Sequence, residues 1–537
     1  MAQKLQALQY VRPDFDALRL EYIAAVQKFK KAESVNIAQM TVQNLDNLND
    51  SLISTYEILQ TLATQNPTDE VYQAEIAIWR LNMPLLKDLA YRFANSLVKS
   101  KFRNQLEIAL PLTKFKLAEN QLKTYSNDID DLLLQEQAII NEYQSILSTA
   151  TINIGGHIIS LATALQKPTM YTTEEQLLIT DTTKTFLTAN QATLITLFEQ
   201  LAQNRNQQAR ILNYDTYSEL SMASHNHFDY SFTEVLSLCD TILATTPVSL
   251  EPISHPLVDD SKLTATDISS ALKNLLESLS PATARFYDYL IEHDSLTFTN
   301  NAHCKIPSLS TFVISKQLPE LTINLDCLPD QSDFLLNQIG QAFQAFSIRG
   351  LKSGNLIFSF HDTQAVLAKG FEFLCWPWLH LLVGNEAANL RTLMLERNLT
   401  VLNYHAKQIK FATQLYQPTV ANFNDLNILW SKQTNQPDDL PTWLLDADLI
   451  CQPDNALDKL LSIIIGMQFW QPNAEQGNPD IINKYIQFAK NSSQDSLLNL
   501  LQLCEIESPF ASATLPSLLN TINDYVQHLV ANSVEQK

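Results

Sequence analysis

The sequence predicts a mainly α protein of several lobes, and three observations carry that prediction. Only 9 glycines occur in 537 residues, where roughly 7% is usual, so few positions suit the left-handed turns of hairpin-rich folds. Apolar residues recur at three- and four-residue spacing over most of the chain, the mark of amphipathic helices. Strand-like stretches are confined to two short regions. At this length two or three lobes are expected rather than one core. A content of 45% hydrophobic and 17% charged residues fits a folded chain.

Taken in order, residues 14 to about 150 read as successive helices. Leu18, Tyr22, Val26 and Phe29 share one face, and Leu45, Leu48, Leu52, Tyr56 and Leu59 share another. Asn66-Pro67-Thr68-Asp69-Glu70 predicts a turn and a helix start, with Thr68 as the cap and acids in the first turn. Pro84 predicts an interruption, because proline has no N–H to donate and its ring crowds the preceding turn. Ser126-Asn127-Asp128-Ile129-Asp130-Asp131 opens the next helix. Residues 151–165, with Gly155-Gly156, predict a short hairpin or edge strand. Helical pattern resumes from Thr173 to Ala209, and Pro247, Pro252 and Pro256 predict a linker. Ser295–Phe298, Thr311–Ile314 and Leu321–Leu325 read as strands. From Asp333 the pattern is helical almost to the end, and no fixed-period repeat marks a solenoid.

The formal charge of −21 argues against nucleic acid and against an anionic membrane as partners. Cys239, Cys304, Cys327, Cys375, Cys451 and Cys504 have no tight spacing. Reduced, buried thiols are therefore expected, not a disulfide frame or a metal site. The first ten residues lack the parts of a signal peptide, and no apolar run reaches about 18 residues. A cytoplasmic location is the expectation.

Several segments, in chain order, carry a family resemblance. They are Tyr10-x-Arg12-Pro13-Asp14; Pro67-x-Asp69-Glu70-x-Tyr72-x-x-Glu75; Ser100-Lys101-Phe102-Arg103; Asn204-Arg205 through Arg210 with Asn213-Tyr214; and Leu279-Ser280-Pro281-x-Thr283. Residues Asn337-Gln338-Ile339-Gly340-Gln341-Ala342-Phe343-Gln344 keep the frame of an H-E-x-G-H-A-F-Q helix, and Phe371-Glu372-Phe373-Leu374-Cys375-Trp376-Pro377-Trp378 follows. Pro453, Asp458 and Gln468-Phe469-Trp470 complete the set. Together these resemble the oligoendopeptidase F family of thimet-oligopeptidase-like zinc metallopeptidases over nearly the whole chain. The resemblance implies a two-lobed helical shell around a deep cleft, with a small β element lining it. It divides the chain into an N-terminal helical lobe (1–115), its helical continuation (116–205) and a peptidase-like domain (206–537) with its zinc-type helix at 333–346.

The same resemblance marks what the site lacks. Zinc hydrolysis of this kind needs two imidazoles four residues apart, a carboxylate ligand and a general base. Asn337 and Gln341 stand at the two His positions, and carboxamide oxygens are poor zinc ligands beside imidazole. Ala365 stands at the third-ligand position, and Gln338 replaces the general base. Loss of a base alone typically costs about 10²–10⁴ in rate, and loss of the metal removes the drop in water pKa from about 15.7 to about 7. The family's C-terminal His and Tyr donors are replaced by Asp448, Asp454, Asn455, Ala456 and Lys459, and its glycine-rich strand loop by Asn300-Asn301-Ala302-His303 before Cys304. Glu372 is expected to be a structural carboxylate.

Other chemistry in the sequence is sparse. His225-Asn226-His227 is the only close pair among ten histidines, and a polar surface turn is the expectation there. His361-Asp362 lies near the lost third ligand without a second His close in sequence. Asp454 and Asp458, four apart, are expected to be solvated helix-start acids. No cofactor is expected, zinc included. The expectation is a pseudopeptidase that binds oligopeptides or an extended protein segment through Asn337, Gln338, Gln341, Asp448, Asp454 and Asn455. The rival readings are an active zinc oligoendopeptidase with a rearranged site and a regulatory subunit paired with an active paralogue.

Overall fold

The computed structural model describes residues 9–155, 157–166, 171–245, 264–301, 306–326, 332–351, 360–417, 423–434, 440–470 and 478–535. Gly156, the Pro247–Pro256 linker, Ala302 to Cys304 and Cys327 lie outside the described residues. The architecture is mainly α, with two small sheets among the described residues.

The N-terminal core is built by helices Phe15–Lys30, Val35–Gln65, Glu70–Val98, Arg103–Ala109 and Leu112–Thr124. The first two starts follow local chemistry: Asp14 accepts from the Ala17 N–H at 2.9 Å, and Ser34 caps the second helix. At the third helix Asp69, not Thr68, is the cap, accepting from Val71 N at 2.8 Å. Pro84 does not interrupt that helix, which runs 29 residues through it. Proline removes one backbone donor, whereas Ile76, Trp79, Leu89, Phe93 and Leu97 are buried on both sides of it, and tertiary burial outweighs local propensity. The opening motif is anchored here. Tyr10 Oη and the Arg12 guanidinium both donate to Glu75, and Trp79 Nε1 donates to Tyr10 Oη at 2.9 Å.

A second core surrounds the 39-residue helix Thr173–Ile211, which opens with a reciprocal Thr172–Glu175 capping box. Strands β1 (Thr151–Ile154) and β2 (His157–Ser160) form the expected hairpin beside it. Arg205, 1% exposed, ties this helix to later chain. It donates to Glu136 Oε1 at 2.6 Å, Tyr416 Oη at 2.5 Å and the carbonyls of Ile450 and Cys451 at 2.6 and 3.0 Å. Phe411, Trp430 and Trp443 consequently share a core with Tyr143, Leu187 and Phe198, so the chain after residue 206 contributes to more than one core.

The third core contains helices Ser332–Ile348, His361–Cys375, Asn455–Met467 and Pro479–Asn491. Strands β3 (Leu296–Thr299), β4 (Ser308–Val313) and β5 (Leu318–Asn324) form a sheet in the order β3-β5-β4, with β3 parallel and β4 antiparallel to β5. Helices Val35–Gln65 and Ser332–Ile348 both pack on it. Cys239, Cys375, Cys451 and Cys504 are buried free thiols. Among the described residues no single helix is long and apolar enough to cross a membrane.

Helices Ser332–Ile348 and His361–Cys375 touch backbone to backbone at Gly340. A Cβ there would lie 2.7 Å from Phe371 Cβ and 2.9 Å from the Leu367 carbonyl oxygen. Gly340→Ala is expected to lower stability by about 1–3 kcal/mol through overpacking, measured as a lower urea midpoint; an unchanged midpoint refutes the close contact.

Candidate functional site

The helix Ser332–Ile348 carries Asn337, Gln338 and Gln341, and the packed helix His361–Cys375 carries Ala365. Asn337 Nδ2 donates to the Asp333 carbonyl at 2.8 Å and to Glu372 Oε2 at 2.9 Å. Glu372, with no exposed surface, also accepts from Lys369 Nζ at 2.6 Å and Asn398 Nδ2 at 3.1 Å. A buried carboxylate needs such partners, so Asn337 helps hold Glu372 in the core. Glu372 is the structural carboxylate the sequence suggests.

Gln338 is buried, and its Oε1 accepts the Ser310 N–H of β4 at 2.7 Å. Asn324 N bonds the Pro307 carbonyl, so odd-numbered β4 positions face β5 and even-numbered ones face outward along the free edge. Gln338 therefore covers one backbone donor of the β4 free edge. Gln341 and Ala365 are half-buried; Ala365 offers a methyl group only.

These residues do not fit a zinc ion. Two carboxamides and an alanine supply no imidazole or thiolate. Both Asn337 and Gln338 are already committed to framework hydrogen bonds.

The C-terminal candidates lie on other elements. Asp448, on helix Ala447–Cys451, forms an exposed pair with Lys459 Nζ at 2.5 Å. Asn455 opens helix Asn455–Met467 and donates to Gln452 Oε1 at 2.7 Å. Asp454 precedes that helix, yet its side chain makes no cap bond; it accepts from Ser221 Oγ and pairs with His225 Nδ1 at 3.1 Å. Asp454 and Asp458 are not solvated acids but buried or nearly so.

His405, passed over in the sequence, feels the charges of Lys459, Asp448 and Lys369. It is 6% exposed. Asp446 accepts from Tyr404 Oη and from the Gln408 amide, which turns Gln408 Oε1 toward His405 Nδ1 at 2.6 Å. The proton therefore sits on Nδ1, and Nε2 carries a buried lone pair with no partner among the described residues. Burial holds its pKa down to about 4, so the ring is neutral near pH 7. Only the His405–Gln408 spacing hints at this in sequence.

His225 and Asn226 form a turn and the His225 side chain is 38% exposed, but His227 does not lie on the surface. His227 is fully buried, with Nδ1 3.3 Å from Asp362 Oδ2 and Nε2 3.2 Å from Asp458 Oδ1. Tyr230 Oη lies 2.7 Å from His227 Nδ1 and donates to Asp362 Oδ2 at 3.1 Å. The His361 ring stands 5.6 Å from that of His225. The fold thus assembles three histidines and three aspartates from the segment after helix Tyr217–Ser224 and from the starts of helices His361–Cys375 and Asn455–Met467. Among the described residues no three such groups converge as a metal site. Burial by itself lowers an imidazole's proton affinity, but Asp458 and Asp362 outweigh it and hold His227 well above the usual range. Burial, reinforced by His225, pushes His361 down.

A proton held more tightly by folded His227 than by the unfolded chain stabilises the fold fully below the usual imidazole value of about 6.5. That contribution disappears as pH rises through the higher folded value. The stability gap between wild type and His227→Gln, measured by urea unfolding, is expected to narrow from about pH 6.5 upward. A gap that widens with pH refutes the ion pairing.

Residues 5–125 match the Peptidase M3 N-terminal domain family. No curated protein sequence matches the chain. Among solved structures, PZ peptidase A with an inhibitor is 21% identical, with coverage of 98% of this chain and 99% of its own and a TM-score of 0.83. A protein assigned as oligoendopeptidase F is 21% identical over 98% of both chains at a TM-score of 0.84. A protein so assigned from Bacillus anthracis strain Ames is 20% identical over 97% of both chains at 0.80. The resemblance is therefore supported: residues 5–125 match the peptidase M3 N-terminal domain family, and the chain has the fold of the solved oligoendopeptidase F-type structures.

Proposed function

We propose that this chain is a pseudopeptidase: an oligoendopeptidase F-like shell that binds an oligopeptide or an extended protein segment without hydrolysing it. One observation carries the reading. The positions at which the family resemblance implies a zinc ligand and a general base are bonded into the framework, Asn337 to Glu372 and Gln338 to the Ser310 N–H. Neither side chain activates water, because a carboxamide is not a base at neutral pH.

Binding is supported by a notch of about 70 Å³ at the end of β4, lined in part by Gln65, Asn301, Ser308 and Asn324. There Gln65 Oε1 and Ser308 Oγ are buried without hydrogen-bond partners among the described residues. An acceptor and a hydroxyl of this kind suit the amide groups of an extended peptide. Pairing along β4 then uses positions flanking Ser310, because Gln338 covers the Ser310 donor.

Elemental analysis of protein purified without a histidine tag is expected to find no stoichiometric zinc. Quenched peptide substrates are expected to show no chelator-sensitive cleavage, while calorimetric titration with peptides of roughly 6–15 residues gives binding heats. Stoichiometric zinc with chelator-sensitive cleavage overturns the reading in favour of an active zinc oligoendopeptidase, and absent heats remove the peptide-binding part.

Installing Asn337→His, Gln338→Glu, Gln341→His and Ala365→Glu together is expected to create measurable zinc binding with little hydrolysis, because the donors replaced at Asp448 to Lys459 stay absent. Failure of the folded variant to take up zinc refutes the register, first at Ala365.

A further inference from the structure

A second cavity lies in the N-terminal core, away from the zinc-type helix. Helices Val35–Gln65, Glu70–Val98 and Leu112–Thr124 enclose it with Tyr22, leaving a half-open space of about 380 Å³. Ligand sites typically run about 300–1,000 Å³. Its wall is apolar, supplied by Trp79, Met83, Leu89 and Phe93 among others.

One corner is polar. Lys114 Nζ meets Asp46 Oδ1 at 2.5 Å, with side-chain exposures of only 7% and 2%. Burying such a pair costs desolvation that apolar residues of similar size avoid, so packing alone does not explain it. An ammonium carries three donors, and this bond uses one. Tyr22 supplies a second feature: its hydroxyl is buried beside Asn49 without a well-formed hydrogen bond, close enough to Asp46 to feel its charge. Two hydrogen-bond donors thus border one apolar space and call for an acceptor.

We propose that this cavity binds a small neutral amphiphile, an apolar body whose carbonyl oxygen accepts from Lys114 and Tyr22. Charge selects the neutral form. Asp46 already compensates Lys114, so a ligand carboxylate leaves a net buried negative charge in a chain of −21. An ammonium head meets Lys114 with like charge. The site is independent of whether the chain hydrolyses peptides.

Isothermal titration of octanamide into the full chain tests the proposal, with octanoate and octylamine as charged probes of equal length. Octanamide is expected to bind one-to-one, and both charged probes about tenfold or more weaker, equivalent to about 1.4 kcal/mol. Tyr22→Phe is expected to weaken octanamide about 2- to 10-fold by removing one hydrogen bond. Ala90→Leu, which adds bulk at the cavity wall, is expected to weaken it about tenfold or more with the unfolding midpoint held or raised. No heat from octanamide, tighter binding of either charged probe, or wild-type affinity in both variants overturns the proposal. Tyr22→Phe keeps the test decisive if Ala90→Leu fails to fold.

Discussion

The geometry of the candidate site depends on close contact between three helices. Gly340, Gly370 and Gly466 are three of only 9 glycines in the sequence, and all three sit where helices Ser332–Ile348, His361–Cys375 and Asn455–Met467 pack. A Cβ at Gly370 would meet the Phe469 ring at 2.8 Å, and one at Gly466 would meet Lys369 Cγ at 3.0 Å. Backbone approach of this kind fixes the helix register without any metal, because the fit is steric and apolar. A frame built so does not depend on which side chains stand at positions 337 and 341.

The replacements are not idle. A carboxamide both donates and accepts, and each half is used. The Asn337 amide donates to buried Glu372, while the Gln338 oxygen accepts from the β4 edge. Polar positions that the family resemblance assigns to metal chemistry here satisfy a buried carboxylate and an unpaired backbone N–H, the two groups most costly to leave alone in a core. The retained polarity at this site thus has a structural explanation.

Much of this was legible in sequence. Helical periodicity and scarce glycine gave the mainly α class, the hairpin at 151–160 and the strands around 296–324 stood out by composition, and Glu372 read as a structural carboxylate. Local signals failed where distant packing decided. Pro84 sits inside a helix because burial on both sides outweighs one missing donor, and Asp69 takes the capping role from Thr68. His227 looked like part of a surface turn because its partners, Asp362 and Asp458, lie 135 and 231 residues away in sequence. His405 carried no motif, since its protonation state is set by Gln408 and Asp446 only once Asp446 folds back beside it.

By itself the sequence determined which atoms are present: no imidazole at 337 or 341, no carboxylate at 338 or 365, a strong acidic excess, and a helical apolar pattern. Donor chemistry is a property of residue identity and needs no coordinates. The tertiary structure alone decided what those atoms do, because hydrogen-bond partnership and burial are set by approach in space. It bound Asn337 and Gln338 into the framework, gathered three separated segments around His227, and opened an apolar cavity beside a buried Lys114–Asp46 pair that no local pattern announces.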